Sequence, residues 1–210
     1  KVTGLSPQVD YKPEVCFLAL LNNYNLKKAK KYKILGVDPG TNVLGYGLIE
    51  VENKTLSLLD LGVVQLKGAG SQPEKLKQIF VQLHMIISEY KPGQMAIEAP
   101  FYGKNIQSMF KLGRAQGVAM AAAIMQGLEV TEYSPKKIKQ SVTGNGNASK
   151  EQVAAMLGNI LKTDLGDHYL DATDALATAV CHYYQSTSLL GGSKSKDWSA
   201  FIRDNPDRIK

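Results

Sequence analysis

Cysteine is almost missing: Cys16 and Cys181 are the only two among 210 residues, and they form neither a disulfide framework nor a zinc-ligand spacing. That points to a reducing compartment. Histidine is as sparse, with His84, His168 and His182 scattered singly, so a metal centre here has to be built from oxygen ligands. No stretch approaches the roughly 18 consecutive apolar residues of a membrane-spanning helix. The short apolar run at 15–21 is followed, not preceded, by its lysines and has no clear small-residue cleavage site, which argues against a signal peptide. Together these absences point to a cytoplasmic protein. Arginine is scarce as well. Only Arg114, Arg203 and Arg208 can make bidentate contacts to guanine edges, although the net charge is +6. The positive charge is therefore mostly lysine, a point charge suited to phosphates, and the expected partner is a polyanion recognised by shape more than by sequence.

What is present falls into three parts. Residues 1–32 show no clear period and end in Lys27-Lys28-Ala-Lys30-Lys31, which reads as an extension outside the fold. Residues 33–186 read as one domain, and 187–210 as a tail in which Trp198, Phe201 and Ile202 could form a small apolar face docked on it. Within the domain, apolar runs at 34–38, 43–50 and 56–66 predict a meander of three strands. Leu76, Ile79, Phe80, Leu83, Ile86 and Ile87 at helical spacing predict a helix from about 74 to 91, with His84 off the stripe and on the surface. A strand follows at 94–98, then a long helix at 105–127 whose small residues, among them Gly113, Ala115, Gly117 and Ala119, permit close approach of neighbours. A strand at 128–133 and helices at 135–142, 149–161 and 171 to about 185 complete the pattern. This alternation predicts an α/β fold, a mixed sheet with helices packed on its faces.

Four acids stand out. Asp38 ends the first strand and is followed by Pro39 and Gly40, which break it into a turn. Glu98 ends the fourth strand in the same way, just before Ala99 and Pro100. Asp171 and Asp174 are three apart on a helix, which places them about 5 to 6 Å apart on one face. Singly, each has an ordinary role: a turn aspartate accepts backbone N–H groups, and acids at a helix start cap free donors for about 1 kcal/mol. If the first and fourth strands are parallel neighbours, however, all four meet at one edge. Each like-charged pair at about 4 Å then costs on the order of 4 kcal/mol at an effective dielectric near 20, which capping does not offset. Divalent cations resolve the conflict, and an oxygen-only set suits Mg²⁺ or Mn²⁺. Two such ions about 3.5 to 4 Å apart are the arrangement that hydrolyses phosphodiesters.

Five blocks carry a resemblance: Ile34-Leu-Gly-Val-Asp-Pro-Gly with Gly45-Tyr-Gly, Ala96-Ile-Glu-Ala-Pro-Phe-Tyr-Gly-Lys-Asn105, Lys111-Leu-Gly-Arg-Ala-Gln-Gly117, Val142-Thr-Gly-Asn-Gly, and Asp171-Ala-Thr-Asp-Ala-Leu-Ala177. In this order and spacing, from about residue 33 to 184, the chain resembles the RuvC Holliday junction resolvases. The resemblance implies a ribonuclease-H-like fold with a mixed five-stranded sheet and helices on both faces. It also implies a homodimer that nicks four-way DNA junctions with Mg²⁺, for which Mn²⁺ substitutes, and that works with the RuvA-RuvB branch-migration complex. By the same resemblance two ions bind Asp38, Glu98, Asp171 and Asp174. Lys139 and Lys150 lie near the scissile phosphate, and Phe101, assisted by Tyr102, stacks on bases at the junction centre. The polar and basic start of the long helix, with Lys104, Asn105, Lys111 and Arg114, reads as further DNA contact. Ala99-Pro100 sets the loop before Phe101 differently from relatives. His182 lies on the helix face of Asp174 but about 12 Å along the axis, too far to share its ion.

Two other classes compete. A non-catalytic branched-DNA-binding protein would show the same basic surface. An actin- or sugar-kinase-like nucleotide-binding domain would share the Asp38-Pro-Gly-Thr41 hairpin, but that architecture needs two such domains around a cleft. The segment 144–150 lacks the spacing of a P-loop.

Overall fold

The computed structural model describes residues 31–68, 70–100, 105–165 and 170–191, the last four for their backbone only. Strands β1 (Lys31–Asp38), β2 (Val43–Glu52) and β3 (Thr55–Gln65) form an antiparallel meander. The β2–β3 connection is the two-residue turn Asn53-Lys54, both at positive φ (50° and 68°), the backbone whose twist matches a tight hairpin. Helix α1 (Gln72–Tyr90) leads to β4 (Gln94–Glu98), then α2 (Ile106–Met125), β5 (Glu129–Tyr133), α3 (Pro135–Thr143), α4 (Lys150–Leu161) and α5 (Leu170–Gly191). The sheet order is β3-β2-β1-β4-β5, with β4 parallel to both β1 and β5. No helix of the described residues is long and apolar enough to cross a membrane.

Central strand β1 is covered on both faces, which is why it reads as a nearly continuous apolar run. Leu35 and Val37 join a core with α1 and α2, built from Ile79, Leu83, Met95, Ile97 and Ala119. Ile34 points the other way, into a core with α3, α4 and α5 that contains Ile138, Leu157, Leu176 and Val180. On that second face α5 lies directly on the strands. A Cβ at Gly36 would overlap the carbonyl oxygen of Ala175, and one at Gly45 would overlap the carbonyl oxygen of Asp171. Glycine at these positions sets how near the helix comes to the sheet.

Several boundaries differ from the sequence expectation. Strand β1 starts at Lys31, whose ammonium reaches Glu50 at 3.0 Å and Glu52 at 3.8 Å on β2, so the end of the lysine run is a cross-strand partner and not part of an arm. Helix α1 starts at Gln72, where Glu74 accepts from the Ser71 N–H at 2.6 Å. Helix α5 continues to Gly191, past the expected end near Gln185. The remainder of the extension, 1–30, and of the tail, 192–210 with Trp198, lies outside the described residues.

Candidate active site

Parallel pairing of β1 with β4, with Val37 opposite Ile97, brings the next residue of each strand, Asp38 and Glu98, to the same sheet edge. The close seating of α5 on Gly45 brings Asp171 and Asp174, in its first turns, over that edge. Carboxylate oxygens of Asp38, Asp171 and Asp174 all lie within 4.8 Å of one another, and each residue is half-buried. Glu98 flanks this trio. Burial, then the charges of Asp38 and Asp174, push its carboxyl up to about 8, while Lys150 and Lys139 pull it down. Burial, then Asp174 and Asp171, push Asp38 up to about 6. The two strand-end acids thus sit in a field short of positive charge.

The donor set fits a divalent cation: it is all oxygen, from carboxylates on two strand ends and one helix, and burial, then the neighbouring charges, raise its two strand-end acids. Lys150, the first residue of α4, supplies one positive charge. Its ammonium donates to Asp174 Oδ2 at 2.5 Å. Lys139 is placed differently. It donates to the carbonyl of Ala148 at 2.8 Å, which ties α3 to the segment leading into α4. That bond helps to fix where Lys150 starts.

The remaining expected residues divide clearly. Phe101, Tyr102, Lys104 and His168 lie outside the described residues. Asn105 caps α2, its Oδ1 accepting from the Ser108 N–H at 3.1 Å, and Lys111 and Arg114 are exposed on that helix. His84 is exposed, as its off-stripe position implied. His182 is buried, between the Tyr133 hydroxyl at 2.9 Å and Gln94 Oε1 at 3.3 Å, and burial holds its ring below the ordinary histidine value. Sequence reasoning missed Tyr133. It pairs with Glu98 in the β4–β5 register, and its carbonyl accepts from the Ala99 N–H at 2.9 Å, just past that acid. The parallel pairing of two short strands was the signal, but only tertiary structure shows which residues meet. The small residues of α2 also split into two sets. Ala115, Ala119, Ala122 and Ala123 are buried against the core, whereas Gly113 and Gly117 face open space.

Residues 34–182 match the family model for the crossover junction endodeoxyribonuclease RuvC. The chain belongs to this family. A crossover junction endodeoxyribonuclease RuvC from Cytophaga hutchinsonii is 56% identical over 189 residues, covering 90% of this chain and 93% of the relative. Among solved structures, Thermus thermophilus RuvC is 30% identical with a TM-score of 0.68, over 74% of this chain and 96% of that one. T. thermophilus RuvC in complex with a Holliday junction substrate gives 27% identity and a TM-score of 0.67 over the same shares. The fold is accordingly the expected ribonuclease-H-like α/β fold, and all four acids expected from the sequence stand at one end of the sheet.

Proposed function

We propose that this protein is a structure-selective endodeoxyribonuclease that resolves four-way DNA junctions by paired, symmetric nicks in recombination and repair. The observation that carries the reading is the convergence of two strand-end acids with two helix acids, in a chain of the RuvC family. Asp38, Glu98, Asp171 and Asp174 would hold Mg²⁺, two ions per site, with Mn²⁺ able to substitute. Cations held by these four residues would supply Lewis-acid activation of water and neutralisation of the charge that develops on the phosphate and the departing oxygen. The chain provides the rest. Strand ends and a helix clamped by glycine contacts hold the ligands rigidly, and Lys150 and Lys139 present positive charge to the scissile phosphate. Phe101 and Tyr102 stack on unpaired bases at the junction centre, worth about 1 to 3 kcal/mol per base. Lys104, Asn105, Lys111 and Arg114 contact the DNA backbone.

Two symmetric nicks need two sites, hence a homodimer. Support comes from α2, where Ile106 (67% exposed), Phe110 (65%) and Ile124 (58%) line one helical stripe with Gly113 and Gly117. A stripe that is apolar at its ends and shallow in the middle suits a second copy of the same helix. As a RuvC-family resolvase the dimer would act in the cytoplasm on junctions delivered by RuvA-RuvB.

The test is an end-labelled four-way junction compared with linear duplex, with and without Mg²⁺. Metal-dependent nicking of the junction alone is expected, with symmetric products. Nicking in metal-free buffer would sink the mechanism, and binding without nicking across Mg²⁺ and Mn²⁺ titrations would leave a non-catalytic junction binder.

A further inference from the structure

We propose that the Lys150 ammonium is an internal counter-ion of the carboxylate cluster, which an entering divalent cation displaces and thereby frees to meet the DNA phosphate. This rests on the metal-site reading above and concerns how that site is loaded. The ammonium bonds Asp174 Oδ2 at 2.5 Å, and Asp174 is one of the three acids whose oxygens lie within 4.8 Å of one another. It therefore neutralises a carboxylate that a cation in the cluster would use. That carboxylate cannot give its full charge to both, so lysine and metal compete for it.

The two partners differ in freedom. The Asp174 side chain is 18% exposed and sits on α5, which is clamped on the sheet, whereas the Lys150 side chain is 45% exposed on a four-carbon stem. Lysine is the partner that moves. Its backbone need not follow, because Ser149 and Gln152 form a capping box at the α4 start and Lys139 secures the preceding Ala148. A swing of the stem then takes the charge from the acids to the outer side of the site. Lys139 cannot play this part, since its ammonium bonds a carbonyl and no carboxylate. Metal binding and phosphate binding become linked: a cation that releases Lys150 raises affinity for DNA, and DNA that engages Lys150 raises affinity for the cation by the same factor.

The test uses full-length protein without DNA, with free Mn²⁺ followed by its electron paramagnetic resonance signal. Lys150→Gln should bind Mn²⁺ about fivefold more tightly than the wild type, the scale of a half-exposed ion pair, while Lys139→Gln stays within about twofold. Equal or weaker binding by Lys150→Gln overturns the proposal, as does an equal gain in Lys139→Gln, which would make the effect one of general charge. Reductive methylation of the wild-type protein, read by mass spectrometry, gives a second measure that needs no variant. Modification of Lys150 should rise several-fold when Mg²⁺ saturates the site, and an unchanged rate overturns displacement. If the wild-type protein and both variants bind no Mn²⁺, the metal-site reading itself fails.

Discussion

The two faces of one strand carry different tasks. On the α1–α2 side, Leu35 and Val37 of β1 join a buried apolar cluster, and the layer is an ordinary packed core. On the α5 side the strand offers Ile34, Gly36 and Asp38: a core residue, a bare contact for the helix backbone, and an acid. One face is optimised for volume and the other for approach distance. The difference teaches that the acids converge because a helix is allowed to lie unusually near the sheet, at a cost in electrostatic repulsion that the opposite face helps to offset by burial.

The largest expected effect breaks the site and spares the core. Asp38→Asn should lower the nicking rate by about a thousandfold or more while junction binding persists, since the substitution removes a charge acting on the reaction and leaves the shape intact. Retained nicking in this variant would exclude Asp38 from the chemistry. The converse change is Leu83→Ala, which empties space at a fully buried position on the α1–α2 side. It should destabilise the fold by about 2 to 5 kcal/mol in denaturant titration, with per-molecule nicking unchanged below the melting range.

A pH experiment sharpens the contrast. Glu98, at about 8, and Asp38, at about 6, both lie above the ordinary carboxylate range. Through that window the folded protein therefore holds more protons than the unfolded chain, and stability falls as pH rises. Metal-free protein should melt several degrees lower at pH 8.5 than at pH 5, and saturating Mg²⁺ should remove most of the difference. A melting temperature that rises over this range would contradict the assigned environment. The smallest effect on folding should come from Phe110→Lys. As an exposed change it should alter stability by no more than about 0.5 kcal/mol, yet shift sedimentation from dimer to monomer. An unchanged dimer would remove the α2 stripe from the interface.

Much of the site was legible because its signals are local. An acid closing an apolar run, followed by proline or by proline and glycine, shows where a strand ends, and two acids three apart show a helix face. Which strands neighbour one another is not local, and neither is the Tyr133–His182 bond, whose partners are 49 residues apart. Helix α5 outruns its expected end near Gln185 for a physical reason. Ser186 and Thr187 are weak helix formers, but their hydroxyls donate to the Tyr183 carbonyl at 3.0 and 2.8 Å, so they are accommodated within the helix. The small residues of α2 are expected as a set to admit close neighbours, yet only the alanines do so within the chain while Gly113 and Gly117 face open space, a difference that composition alone does not reveal.

The position of α5 in the chain also has a temporal meaning. Asp38 and Glu98 are synthesised in the first half, whereas Asp171 and Asp174 arrive on the last described helix, after every strand of the sheet. A nascent chain on the ribosome holds two of the four acids until that helix emerges and settles on Gly36 and Gly45. Synthesis therefore delivers the last two candidate ligands only after the whole sheet that receives them has been made.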